Sequence, residues 1–368
     1  MAITKIYKGT AELADVLKIY KGSELVYEKE VEPSYPPNVV VFKSYSPRTI
    51  TPRYTQSGIT LQYSIDRGLT WNNISSGGTT ASSDEIWFRG RATGVKSLYT
   101  SRSSSNAWGF SGGVKLDVYG DLRYLLCNNL GDSTITFNIA SYCFSYMFYG
   151  CTCLATAPSL PATTLADYCY DSMFYGCKYF LTTAPSLPAT RLAERCYYQM
   201  FQGCESLTTA PSLPATKLAS YCYSYMFAGC KSLTTPPSLL ATTLADNCYN
   251  SMFQDCTSLT TAPSLPVTTL AERCYYQMFY RCSSLTTVPE LPATTLTDYC
   301  YAYMFERCTA FKVSETKAGS YQYPWRIPTS GTGRTATGWN TAMLKNTGGS
   351  YTDYPVINTT YYVENPPV

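Results

Sequence analysis

The apolar positions in the centre of the chain follow a pattern that predicts two kinds of element. Leu192, Cys196, Met200, Phe201 and Cys204 lie at i, i+4, i+8, i+9 and i+12, the stripe of an amphipathic helix, which runs out at Gly203-Cys204. Ser206-Leu-Thr-Thr209 is short, rich in β-branched residues and suited to a strand. Ala210-Pro-Ser-Leu-Pro214 can continue neither element and must turn. One unit therefore reads as helix, turn, short strand and proline-rich return.

The unit recurs. Cysteines fall at Cys143, Cys169, Cys196, Cys222, Cys248, Cys274 and Cys300, and again at Cys151, Cys177, Cys204, Cys230, Cys256, Cys282 and Cys308. Both series step by 26, with one step of 27 near Phe180, and Met147 to Met304 keeps step between them. A period in this range is the mark of a solenoid, because one coil cannot cover its own Leu, Cys, Met and Phe and its neighbours must bury them. With strands ~4.8 Å apart, seven coils predict a ladder on the order of 30 Å long over residues 135–313.

The block Leu-Pro-Ala-Thr-Thr-Leu-Ala-x-x-Cys-Tyr-x-x-Met-Phe-x-Gly-Cys-x-Ser-Leu-Thr-Thr resembles the BspA-like leucine-rich repeats of gut-bacterial surface proteins and of their phages, over about half the chain. The resemblance implies adhesion and a leucine-rich-repeat solenoid, without a particular ligand. The expected fold is thus an α/β repeat solenoid of seven leucine-rich-type coils, with an N-terminal β domain and a β-rich C-terminal cap.

The flanks fill out that plan. Residues 1–34 hold Lys5-Ile-Tyr-Lys-Gly9 and Lys18-Ile-Tyr-Lys-Gly22, each a short strand and a turn glycine, before the stiff Pro33-Ser-Tyr-Pro-Pro37. A free pair of hairpins is marginal, so this segment is expected to dock on something, and it is similar to the openings of phage structural proteins. Residues 38–134 predict a small β domain that caps the first coil, from Val39-Val-Val-Phe42, Ile59-Thr-Leu-Gln-Tyr63 and Glu85-Ile-Trp-Phe-Arg89. Ser64-Ile-Asp-Arg-Gly-Leu-Thr-Trp71 within it matches the Asp-box of sialidase propellers, where the aspartate binds turn amides, the glycine bends and the tryptophan packs beneath. That motif is structural and occurs once here, so it does not imply sialidase activity. Residues 314–368 read as a compact β-rich cap, in which Trp325 and Trp339 suit either a core or a sugar-stacking surface. Gly331-Thr-Gly-Arg334 lacks the spacing of a phosphate loop.

Composition narrows the chemistry. Histidine is absent, which excludes imidazole-based triads and His-ligated metals. With a net charge of +3 and no Lys/Arg run, no nucleic-acid footprint is present, and no stretch is apolar enough to insert in a membrane. The two cysteines of a unit stand about 12 Å apart along a helix, beyond the roughly 7 Å a disulfide allows. Cys151-Thr-Cys153 does not recur, and the cysteines read as small buried thiols that need no metal or cofactor.

What varies between units is a mix of tyrosine and polar residues, as on a binding face. The candidate ligand-binding residues are Tyr168, Arg195, Tyr198, Tyr221, Tyr225, Asn247, Arg273, Tyr276, Tyr299 and Tyr303; none is catalytic. Leu192–Phe201 returns letter for letter at Leu270–Phe279, so the array grew by copying blocks. Lacking a secretory leader, the chain is expected to be a non-enzymatic virion fibre or tail-associated adhesin of a gut-bacterial phage, made in the host cytoplasm. Its partners would be a capsid or tail protein, through residues 1–34, and a host-surface or mucosal glycan or protein. A homotrimer would suit a fibre, although no coiled-coil heptad is present. A bacterial cell-surface adhesin is the alternative.

Overall fold

The computed structural model describes residues 35–36, 38–92, 97–111, 114–126, 140–327, 336–351 and 354–368, with short backbone stretches among the first 28. The chain divides into two compact units, Met1–Pro37 and Asn38–Val368. In the first, β1 (Tyr7–Lys8) pairs antiparallel with β2 (Ala11–Glu12), and β3 (Lys18–Lys21) with β4 (Glu24–Glu28). The remainder of the expected docking segment lies outside the described residues, as do the first residues assigned to the repeats and Gly331-Thr-Gly-Arg334.

The second unit opens with β5 (Val40–Arg48), β6 (Ile50–Thr51), β7 (Ile59–Ser64), β8 (Asn72–Ile74), β9 (Ser83–Ala92), β10 (Gly109–Phe110) and β11 (Leu116–Tyr119). With β12 (Leu154–Thr156) they give a six-stranded sheet in the order β12-β11-β5-β9-β7-β8 and a small β10-β6 pair. Val40, Phe42, Phe88, Leu116 and Val118 bury its inner face. Gly90 lets β9 pass under the 3-10 turn Leu122–Leu125, since a Cβ there would stand 1.7 Å from the Leu125 carbonyl oxygen. In the β7–β8 hairpin, Asp66 accepts from the Thr70 amide at 2.9 Å and from the Ser64 hydroxyl at 2.7 Å. Gly68 bends with φ +87, and Trp71 donates to its carbonyl at 3.0 Å, which is the turn the Asp-box predicts.

The repeats overturn the expected α/β solenoid. Among the described residues there is no α-helix, only the 3-10 turns Ser104–Asn106 and Leu122–Leu125, and the sheets do not close into a solenoid. The leucine-rich-repeat expectation falls with it. The helix stripe is a run of β-turns. In Ala166–Cys177, the amides of Cys169, Asp171, Met173, Tyr175 and Cys177 bond the carbonyl three residues back. The alternate amides, of Tyr168, Tyr170, Ser172, Phe174 and Gly176, leave the unit and bond carbonyls of the next one at 2.8–3.0 Å. Every fourth residue takes a left-handed φ: Tyr168 at 58, Ser172 at 53 and Gly176 at 71. Each sits third in its turn, where type II geometry places a positive φ.

Sequence period explains the choice. Buried pairs recur at intervals of four (Cys196-Tyr197, Met200-Phe201, Cys204), whereas a helix turns every 3.6 residues and would carry such a stripe round by ~40° at each step. Tyr, Cys and Phe are also poor helix formers, and a segment this short is marginal as a helix. The predicted strands shrink similarly. Thr183, Thr209 and Thr235 make isolated parallel bridges, because the prolines that follow have no amide to extend a ladder. Among the described residues only the first and seventh units have a strand here, β12 and Lys312–Ser314. The extra residue of the 27-residue step swells the turn after Cys177 and exposes Tyr179 and Phe180.

Stacking buries the inward residues. Phe148, Phe174, Phe201, Phe227, Phe253, Phe279 and Phe305 form one column with ring centroids 5.5–5.8 Å apart. Tyr170, Tyr197, Tyr223, Tyr249, Tyr275 and Tyr301 form another at 5.8–5.9 Å. At the N-terminal end the β domain continues both bonding and packing: Leu98 and Trp108 donate to Cys143 and Met147, and Phe110 stacks on Phe148 at 5.7 Å.

The opposite end holds a turn segment that the sequence conceals. Tyr299, Tyr301, Tyr303, Phe305 and Arg307 donate to Thr337, Trp339, Thr341, Met343 and Lys345. Gly338–Thr347 is thus an eighth turn segment, placed after an insertion that carries β13 (Lys312–Ser314) and β14 (Tyr323–Ile327). With β15 (Gly348–Gly349) and β16 (Thr359–Val363) these strands form a sheet in the order β14-β16-β13-β15. Trp325 and Trp339 are buried, the first donating to the Pro289 carbonyl at 3.0 Å, so they are core and do not offer a sugar-stacking surface.

Candidate functional site

The outward residues of the turn segments form two neighbouring columns. Tyr142, Tyr168, Arg195, Tyr221, Asn247, Arg273 and Tyr299 occupy the same place in successive units, each at φ between 51 and 61. Their rings and guanidinium groups interleave. Tyr142 stacks on Tyr168 at 5.0 Å, and Arg195 lies 5.5 Å from the Tyr168 ring and 4.6 Å from that of Tyr221. Arg195 also donates to the Tyr168 hydroxyl at 3.0 Å, and Arg273 lies over Tyr299 at 4.8 Å. Such contacts hold long side chains in one conformation, so a partner meets a surface already ordered.

The second column contains Tyr198, Tyr225, Tyr276 and Tyr303, with edge-to-face pairs Tyr198–Tyr225 at 5.9 Å and Tyr276–Tyr303 at 5.4 Å. The structure therefore brings all ten sequence-selected residues onto one face. Asn247 is buried while the other nine are half-buried.

Between these tyrosines lie polar residues outside the ten candidates. Asp171 is fully buried, and Arg102 reaches it from the segment between β9 and β10 of the β domain, donating Nε at 2.5 Å. Arg102 also donates to Gln199 at 3.2 Å and lies 5.6 Å and 5.0 Å from the Tyr146 and Tyr198 rings. Ser172 donates to Asp171 at 2.7 Å and to Gln199 at 3.3 Å. Burial pushes the Asp171 carboxyl above its ordinary range, against the opposing pull of the Ser172 hydrogen bond and Arg102.

Three units on, the same cleft recurs with one exchange. Ser251 donates to Asn250 at 2.8 Å and to Gln277 at 3.4 Å, and Tyr225 and Tyr276 stand where Tyr146 and Tyr198 stood. Asn250 replaces Asp171 and is braced on Asn247 at 3.1 Å. Among the described residues nothing plays the part of Arg102. The signal was present in the sequence: Asp171-Ser172, Tyr198-Gln199 and Ser224-Tyr225 return as Asn250-Ser251, Tyr276-Gln277 and Ala302-Tyr303.

The thiols form no constellation on this face. Every described cysteine is free and buried, and burial drives Cys196 and Cys248 up to about 12. The second series has a bonding role that the sequence reading missed. Cys204, Cys230, Cys256, Cys282 and Cys308 each donate Sγ–H to the phenylalanine carbonyl of the preceding unit at 2.9–3.2 Å. Among the described residues no group of three or more His, Cys, Asp or Glu is placed to hold a metal, and no helix is long and apolar enough to cross a membrane. Compared with known proteins, the chain matches no family model, no curated protein and no solved structure.

Proposed function

We propose that the chain is a non-enzymatic binding protein that holds a glycan of a cell or mucosal surface on the tyrosine-lined face of its repeats. The observation that carries this reading is the cluster of Tyr225, Asn250, Ser251, Tyr276 and Gln277 on the repeat face, in which half-buried Tyr225, Tyr276 and Gln277 surround the buried Asn250 and Ser251. Two aromatic walls and side-chain amides that both donate and accept suit a neutral, hydroxyl-rich ring, with the rings contributing apolar contact at low entropic cost. The exchange of Asp171 for Asn250 removes the one group that makes the first cleft select a cation, while Arg273 stays near Tyr276 and disfavours a second guanidinium.

What supports a setting is the resemblance in sequence of the repeat motif to surface proteins of gut bacteria and their phages, and of the opening residues to phage structural proteins. In that setting the chain is a virion fibre or tail-associated adhesin, anchored to a capsid or tail protein through residues 1–34. The test is a screen of bacterial and mucosal polysaccharides against the full chain, followed by titration calorimetry. Tyr276→Ala and Asn250→Ala should each weaken binding at least tenfold, about 1.4 kcal/mol, with the thermal transition preserved. Binding that survives the Tyr225→Ala/Tyr276→Ala double substitution would place the ligand elsewhere.

A further inference from the structure

The junction between the β domain and the first unit contains a group the binding face does not use. Arg48 is 2% exposed and cannot shed its charge, so it requires an anion or a full set of acceptors. It donates to Ser44 Oγ at 2.8 Å, to the Val114 carbonyl and to Cys153 Sγ at 3.2 Å. Among the described residues no carboxylate lies within ion-pair distance of it. Of the three groups that accept hydrogen bonds from Arg48, Cys153 is thus the one that can become an anion to balance it. In later units Ser206, Ser232, Ser258 and Ser284 occupy its position, so the thiol occurs only where the arginine is.

A second thiol waits beside it. Cys151 Sγ lies 3.5 Å from Cys153 Sγ, and the Leu154 amide closes a turn on the Cys151 carbonyl at 3.1 Å. Such a turn holds its first and third Cα atoms within the roughly 7 Å that a disulfide spans. The hydrogen bond from Cys151, together with Arg48, lowers the Cys153 thiol to about 6, while Cys151 is held well above the ordinary value.

We propose that Cys151 and Cys153 are a thiol–disulfide exchange site for small-molecule disulfides, with Cys153 as nucleophile and Cys151 as resolving thiol. The Cys153 thiolate attacks one sulfur of the disulfide RSSR, forming a mixed disulfide and expelling RS⁻. Cys151 then gives its proton to RS⁻ and attacks Cys153 Sγ, which expels the second RS⁻. The two protein thiols are oxidised to one disulfide as RSSR is reduced to two thiols. Closure withdraws the anion from Arg48, so the oxidation state of the pair bears on how β5 is held against the first unit.

The test uses the full chain with oxidised glutathione at neutral pH, acid quenching, alkylation in denaturant and peptide mass spectrometry. The expected product is one disulfide joining Cys151 to Cys153, with the column cysteines such as Cys222 still free. Cys151→Ser should stop at a glutathione adduct on Cys153, and Cys153→Ser should give neither product. In the native chain Cys153 should be alkylated at least a hundredfold faster than Cys222. Equal rates, or an adduct that forms first on another cysteine, would overturn the proposal. Arg48→Lys, which keeps a cation, should slow the attack less than Arg48→Met does at equal thermal stability; the two cysteine variants decide the matter if Arg48→Met does not fold.

Discussion

Arg102 Nε donates to Asp171 Oδ2 at 2.5 Å, so a residue of the β domain fills one of two equivalent clefts on the repeat face. The arrangement has a measurable corollary. Arg102→Ala leaves a buried carboxylate without its cation and should lower stability by about 1–2 kcal/mol, less than for a fully buried pair, because the Arg102 side chain keeps 36% of its exposure. Arg102→Ala/Asp171→Asn copies the open cleft, and should regain that stability and bind a second equivalent of ligand. Calorimetric stoichiometry and denaturant midpoints measure the two effects.

Asp171 also sets a pH dependence. Its folded-state pKa lies above the ordinary carboxylate value, so over that interval the folded chain keeps a proton that the unfolded chain releases. The stability this group contributes is present at lower pH and is lost as pH rises through its folded value. Denaturant midpoints of the native chain and Asp171→Asn, compared from pH 3 to 7, should differ in slope there.

Asp66 works in the other direction. Hydrogen bonds from Ser64 and Thr70 lower its carboxyl from 3.8 to about 2. Its contribution is complete above the ordinary value and disappears as pH falls toward about 2. Asp66→Asn should be less stable than the native chain at neutral pH and converge with it under acid. A constant difference across that range would contradict the hydrogen-bond origin.

Gly203 tests the turn geometry against the helix it replaced. A Cβ there would meet only ordinary contacts with Gly176, at 3.7 Å, so space is available and the φ of +73 is the obstacle. Gly203→Ala should cost about 1 kcal/mol. In a helix the same change would stabilise by roughly that amount. The sign of the shift in melting temperature therefore reports the backbone conformation.

Phe227 lies mid-column between Phe201 at 5.7 Å and Phe253 at 5.8 Å, with no exposure. Phe227→Ala should cost about 3–5 kcal/mol, since the stacked units on either side cannot collapse into the space. A calorimetric or denaturant measurement should show a smaller loss for Phe110→Ala, whose ring is only half-buried at the end of the column.

Much of this was legible. Period, unit boundaries and the buried Cys, Met and Phe columns follow from spacing alone, and the variable tyrosines do share a face. The helix was misread because intervals of four and of 3.6 agree over the first turn and separate only across a whole stripe. The eighth turn segment escaped because Trp339 and Leu344 replace the expected Cys and Phe after an inserted pair of strands. The cleft escaped because its polar members, Asp171 and Asn250, differ in charge. Only the reach of Arg102 from the β domain explains why.

Among the described residues the backbone bonds between turn segments such as Ala166–Cys177 and its successors run one way, from the amide of one unit to the carbonyl of the next. The stack therefore has polarity, with parallel peptide dipoles and two ends that differ before any side chain is considered. A copied block inserted in the same orientation finds its donors and acceptors already matched, whereas an inverted block would set amide against amide. Gene duplication can thus change the length of this protein by whole units, and with it the number of clefts, without redesigning a single interface.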